Sequence, residues 1–180
     1  MKKWKVLNSK KIIANDWITI EKHKCDIGQG KVIKDYYIIK KRDYVILVIE
    51  DRNKIIFLKQ YRHGIGNVVL NLPMGLIDKE ECSEMAAKRE LLEETGYVAG
   101  KLDYIGEFFL APSYINTRAH VFYANRIRKK SIENVDPYEG NISLISIPKN
   151  ELKKLLEDKM IKDSSTLTAL LMVNSKLNLF

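Results

Sequence analysis

Gly75-Leu76-Ile77-Asp78-Lys79-Glu80-Glu81-Cys82-Ser83-Glu84-Met85-Ala86-Ala87-Lys88-Arg89-Glu90-Leu91-Leu92-Glu93-Glu94-Thr95-Gly96-Tyr97 sets a glutamate-rich segment between two glycines. From Ser83 the pattern is helical: Ser83 suits an N-terminal cap, and Gly96 stands where a left-handed residue would end the helix after Thr95. On such a helix Glu90, Glu93 and Glu94 fall at i, i+3 and i+4 and share one face. Like charges so close would weaken an isolated helix by roughly a few tenths of a kcal/mol per pair unless a cation neutralises them. A hard divalent cation is the natural partner. Magnesium takes oxygen ligands, keeps several waters, and is bound through a few carboxylates and the substrate's phosphates. Taken alone, three glutamates on a helix also describe a solvated face. Their setting narrows the choice, because Gly75, Glu81, Arg89 and Gly96 stand around them at fixed intervals.

Working outward, the residues before the helix read as antiparallel strands at Trp17 to His23, Val32 to Lys40, Tyr44 to Glu50 and Lys54 to Tyr61. Gly28-Gln29-Gly30 and Asp51-Arg52-Asn53 form turns between them. A shorter strand, Val68 to Leu72, is closed by Pro73, and a turn is expected from Gly75. After the helix, strands are predicted at Leu102 to Leu110, Ala119 to Arg126 and Ile142 to Ile147, with loops at Pro112-Ser113-Tyr114 and Asp136 to Asn141. Helices over Glu151 to Met160 and Ser165 to Ser175 close the chain. Strands in succession with a few segregated helices point to an α+β fold or a mixed α/β/α sandwich.

The 180 residues and their composition, 46% hydrophobic and 30% charged, imply one compact domain, too short for a catalytic domain plus a separate DNA-binding one. Charges interrupt the N-terminal segment before a signal-peptide core forms, and the longest apolar run, Tyr44 to Ile49, is strand-length. A cytoplasmic location follows by elimination, with no membrane partner. Cys25 and Cys82 lack the paired spacing of zinc or disulfide frameworks, and His63 and His120 are not spaced as zinc ligands. The formal charge of +8, with basic runs at Lys40-Lys41-Arg42 and Arg126 to Lys130, suits phosphorylated small molecules. Charge alone would also allow a basic RNA-binding module, but no aromatic RNA platform accompanies it, so no nucleic-acid partner is expected.

The pattern Gly-x5-Glu-x7-Arg-Glu-U-x-Glu-Glu-x-Gly-U, with U a bulky apolar residue, runs from Gly75 to Tyr97 and resembles the Nudix box at every fixed position. Tyr97 stands where an aliphatic residue is commoner. The resemblance implies a Nudix fold: an α/β/α sandwich with a mixed β-sheet over residues 44–180, preceded by an N-terminal antiparallel β-hairpin region over residues 1–43. It also implies magnesium, with manganese able to substitute, held by Glu90 and Glu94, with Glu93 adding a carboxylate and the Met74 carbonyl completing the shell. Arg89 would fix the rotamer of a neighbouring glutamate, and Glu81 would hold the loop.

Beyond the box, Gln60-Tyr61-Arg62 and Leu72-Pro73-Met74-Gly75 are similar to the ADP-ribose pyrophosphatase branch, and Leu110-Ala111-Pro112-Ser113-Tyr114 is similar to bacterial ADP compounds hydrolases. Asn71 stands where glutamate usually precedes Leu-Pro, which leaves the choice among ADP-linked substrates open. The resemblance implies cleavage of the diphosphate of ADP-ribose or a related compound to AMP and a phosphorylated product. Arg62, Trp17, Pro112 and Tyr114 are the substrate-binding candidates. Arg62 would fork onto phosphate oxygens; Trp17 would stack on adenine or, alternatively, pack in a core. Glu139 is the candidate general base, with Glu133 and Glu93 as rivals. The hairpin region would form a homodimer. Dinucleoside polyphosphates, NADH or GDP-mannose are alternative substrates, and a non-catalytic nucleotide-sensing domain is the alternative outside enzymes.

Overall fold

The computed structural model describes residues 2–130 and 142–180. Two compact units emerge, one of Met1–Asp43 with Phe109–Arg118, the other of Tyr44–Phe108 with Ala119–Phe180.

The larger unit is organised by β4 (Tyr44–Asp51), whose first six residues are all apolar and buried. A strand apolar on both faces must be covered on both. Val45, Leu47 and Ile49 pack with Ala86, Ala87 and Leu91 of helix α1 (Ser83–Thr95). On the other side Ile46 and Val48 pack with Ala169, Leu170 and Val173 of α3 (Ser164–Leu177) and Leu152 of α2 (Lys149–Glu157). The alternation of one strand therefore writes the α/β/α sandwich. The sheet runs β12 (Ser143–Pro148), β5 (Lys54–Arg62), β4, β10 (Arg118–Ala124), β9 (Leu102–Phe109), with β6 (Asn67–Asn71) on β5 and β7 (Met74–Leu76) on β4. Only β10 is parallel to β4 among the registers of β4 and β5, so the sheet is mixed, as expected. A small pair, β8 (Tyr97–Ala99) with β11 (Ile127–Lys129), lies apart.

The partners of β4 change along its length: Tyr44 to Ile46 face β7, and Ile49 to Asp51 face β5. Between them Leu47 N–H donates to the Pro73 carbonyl at 2.9 Å. The segment after Pro73 thus forms a short strand where a turn was expected, and carries Gly75 into the sheet. Its approach is tied to α3: Leu72 N–H donates to Thr166 Oγ1 at 3.0 Å, and the Tyr44 and Ser165 hydroxyls pair at 2.8 Å. Asp163 caps α3 by accepting from Thr166 N–H at 2.7 Å.

In the smaller unit β1 (Lys5–Ala14), β2 (Thr19–Gly28) and β3 (Lys31–Lys40) form an antiparallel sheet in chain order. The turn expected at Gly28-Gln29-Gly30 is present, with all three residues at positive φ. Strand β1 was not predicted. All ten of its residues are exposed, so no alternation between a core and a solvent face marked it in the sequence. No helix of the described residues is long and apolar enough to cross a membrane.

Replacing Leu47, which is fully buried against α1, should lower stability: Leu47→Ala is expected to cost about 2–5 kcal/mol in urea unfolding, with the m-value unchanged.

Candidate active site

Helix α1 ends as predicted, with Gly96 at φ 71° and its N–H donating to the Leu92 carbonyl at 2.8 Å. Its start differs. Cys82 occupies the cap position in extended conformation without a side-chain hydrogen bond, and Ser83 is the first helical residue. The helix begins one residue earlier than a serine cap requires, so the Ser83 hydroxyl is not its cap.

Three carboxylates converge on one guanidinium. Arg89 Nε and Nη2 donate to the two oxygens of Glu81 at 3.1 and 2.9 Å; Nη1 donates to Glu90 Oε1 at 2.6 Å and Glu93 Oε2 at 2.9 Å; Nη2 donates also to the Leu76 carbonyl at 2.9 Å. All five N–H groups are used. The hydrogen bonds to Glu81, then the pairing with Glu90 and Glu93, hold the Arg89 pKa well above the usual arginine value against the opposing cost of burial. The same bonds keep the Glu81 carboxyl below its ordinary 4.5. Glu81 also accepts from Asp78 N–H at 3.2 Å, so it holds the loop into the helix. The sequence pattern contained this clamp in its Glu81 to Arg89 spacing, although which carboxylates Arg89 would take was not readable from it.

Glu90 is buried, only 7% exposed. A Cβ built on Gly75 would fall inside the Glu90 carboxylate, so glycine is required there for close approach rather than for a special φ. Glu94, one turn on, accepts at Oε2 from Met74 N–H at 2.8 Å. Strand β7 therefore seats both carboxylates, Glu90 by the missing side chain of Gly75 and Glu94 by the amide of Met74. Glu93 has 46% of its side chain exposed.

The NUDIX domain pattern matches residues 40–170. The chain belongs to the Nudix family. It is 26% identical over 166 residues to an ADP-ribose pyrophosphatase of Bacillus subtilis (strain 168), spanning 92% of this chain and 90% of that one. It is equally 26% identical over 170 residues to the ADP compounds hydrolase NudE of Escherichia coli (strain K12), spanning 93% and 90%. A crystal structure of an ADP compounds hydrolase superposes with a TM-score of 0.86 at 25% identity, covering 99% of this chain and 96% of that one. A GDP-mannose pyrophosphatase of Pectobacterium atrosepticum is 25% identical over 178 residues, with 89% of each chain covered. This protein is a Nudix hydrolase with the expected fold.

Nudix hydrolases generally use divalent metal ions, and the residues present fit one. Among the described residues no three His, Cys, Asp or Glu side chains are grouped as a ready cage; Glu81, Glu90 and Glu93 are gathered on Arg89 instead. A magnesium-like ion does not need a cage. One or two carboxylates, waters and substrate phosphates suffice, and Glu90 and Glu94 are hard oxygen donors one turn apart, each held by its surroundings.

Of the other candidates, Arg62 ends β5 and is half-buried, and Gln60 Nε2 donates to Asn71 Oδ1 at 3.3 Å in the interior beside it. In the smaller unit Trp17 is 70% exposed, which overturns its alternative as a core residue in this chain. It borders an open concavity of about 210 Å³ between Asn15–Thr19 and Lys40–Arg42, and the Arg42 guanidinium carbon is 6.0 Å from its ring centroid. Pro112 and Tyr114 lie in the exposed loop of the same unit. Glu133 and Glu139 fall outside the described residues.

Because the folded Glu81 pKa is depressed, the stability it confers is complete above its ordinary 4.5 and is lost as pH falls through the lower folded value. Glu81→Gln should therefore melt below the wild type at neutral pH, and scanning calorimetry should find the two converging in acid.

Proposed function

We propose that this chain is a magnesium-dependent diphosphatase of ADP-linked compounds, ADP-ribose first among them, releasing AMP and a phosphorylated remainder such as ribose 5-phosphate. The observation that carries the reading is the seating of Glu90 and Glu94 by strand β7, at Gly75 and at the Met74 amide. Two relatives matched over nine-tenths of the chain are named for ADP-linked substrates, which supports the adenine preference.

In this reading Glu90 and Glu94 are the principal ligands, with Glu93 and the Met74 carbonyl as further donors. The ion, when bound, lowers the pKa of water and neutralises charge on the diphosphate. Everything else falls to the protein. Arg89 fixes the Glu90 and Glu93 rotamers through its hydrogen bonds at 2.6 and 2.9 Å. Arg62 presents a planar fork to phosphate oxygens, a shape that a lysine lacks. Trp17 stacks on adenine, a role its exposed ring leaves it able to fill. Pro112 and Tyr114 touch the rest of the substrate. A carboxylate takes the proton of the attacking water: Glu139 is proposed for this, with the exposed Glu93 as its rival. We also propose a cytoplasmic homodimer formed through the N-terminal sheet, supported by the exposure of Val6, Leu7, Ile12 and Ile13 on β1.

A second reading, GDP-mannose as substrate, is favoured by the similarity to the GDP-mannose pyrophosphatase. Chromatography of products from ADP-ribose, NADH, diadenosine polyphosphates and GDP-mannose, each with magnesium, separates the two. AMP from at least one adenine compound is expected, and Glu94→Gln should lower kcat by about a hundredfold or more, since even residues behind metal ligands cost about 10–100-fold. Turnover of GDP-mannose alone would favour the second reading, and undiminished turnover by the variant would remove Glu94 from the mechanism.

A further inference from the structure

The loop from Leu110 to Thr117 is not a free connection. Ile115 forms a parallel bridge with Ile39 of β3, in which Ile39 N–H donates to the Tyr114 carbonyl at 2.7 Å and Asn116 N–H donates to the Ile39 carbonyl at 3.3 Å. Side chains add independent ties. The Tyr36 hydroxyl donates to the Ser113 carbonyl, and Asn116 Oδ1 accepts from Lys41 N–H at 3.3 Å. At the loop's end Asp43 accepts from Arg118 N–H at 2.8 Å and from its Nε and Nη2, both at 3.0 Å. Within the loop, Tyr114 and Ile115 N–H both donate to the Ala111 carbonyl, at 3.0 and 2.8 Å, closing a tight turn around Pro112 and Ser113.

One group shows that this shape is imposed on the loop. The Thr117 hydroxyl is buried, and it has no hydrogen-bond partner among the described residues. A buried hydroxyl without a partner opposes the conformation that holds it, so the ties to β3 outweigh that penalty. They also act at successive points: Ser113, Tyr114, Asn116 and Arg118 are all engaged, from residues 36 to 43.

We propose that Tyr36 and Asn116 are positioning residues for substrate binding: they dock the loop on β3 and so fix where Pro112 and Tyr114 present themselves to the part of the substrate beyond the reacting phosphates. This rests on the proposed contact of Pro112 and Tyr114 with substrate. The N-terminal sheet then tunes which ADP-linked compound is accepted without any of its tying residues touching it. Such a role moves KM and leaves kcat in place, because the misplaced loop weakens binding in ground and transition state alike.

The test is steady-state kinetics with ADP-ribose on wild type, Tyr36→Phe, Asn116→Ala, Tyr114→Ala and the double variant Tyr36→Phe/Tyr114→Ala, alongside melting temperatures. Tyr36→Phe removes one hydroxyl and keeps the ring that meets Trp4 edge-on at 5.5 Å. It should raise KM about fivefold, the scale of one lost hydrogen bond, with kcat changed by less than about twofold. Asn116→Ala, which cuts a separate tie, should do the same. In the Tyr114→Ala background Tyr36→Phe should raise KM by less than it does alone, since one of the two residues it positions is gone. Unchanged KM in both tie variants while Tyr114→Ala raises it would overturn the positioning role alone. So would independent, multiplying effects in the double variant, or a loss confined to kcat. No effect of Tyr114→Ala, with AMP still released, would overturn the substrate contact on which the proposal rests, and absence of AMP would overturn the proposed activity itself.

Discussion

The guanidinium of Arg89 is what allows acidic side chains to crowd the catalytic helix. Glu81, Glu90 and Glu93 all lie on it, and its last N–H reaches the Leu76 carbonyl on the strand opposite. The Arg89 ion pair to Glu90 at 2.6 Å offsets part of the desolvation penalty, roughly several kcal/mol, that so buried a carboxylate bears. Its hydrogen bonds tie the helix, the loop from Asp78 and strand β7 together. Arginine suits the position because its fork satisfies several oxygens at once, where a lysine would act as a point charge.

Much of this was legible in the sequence, for identifiable reasons. The box has its glycines and charges at fixed intervals because backbone approach at Gly75 and helix termination at Gly96 each tolerate little else. Tyr44 to Ile49 is an unbroken apolar run because both faces of β4 are covered. What stayed hidden depends on contacts between residues far apart in the chain. The bond from Leu72 to Thr166 and the tie from Tyr36 to the Ser113 carbonyl leave no periodic trace. Strand β1 has no buried side to mark it, and the Ser83 cap failed because local propensity does not fix where a helix begins to within one residue.

The loop from Leu110 to Thr117 is built apart from the helix that carries Glu90 and Glu94. The box supplies the chemistry, whereas the loop is shaped by a sheet built from the first residues of the chain. On the proposed contact of Pro112 and Tyr114 with substrate, changes in β3 would alter selectivity without touching Glu90 or Glu94.

Strand β7 seats Glu90 and Glu94 and Arg89 fixes Glu90, and the divalent-ion site proposed there is read by binding rather than by turnover. Manganese titrated by electron paramagnetic resonance into the protein with AMP present should bind to the wild type and to Glu84→Gln, whose residue lies in the first turn of α1. Binding should be weakened at least about tenfold in both Glu90→Gln and Glu94→Gln. Equal manganese affinity in all four proteins would exclude Glu90 and Glu94 as ligands.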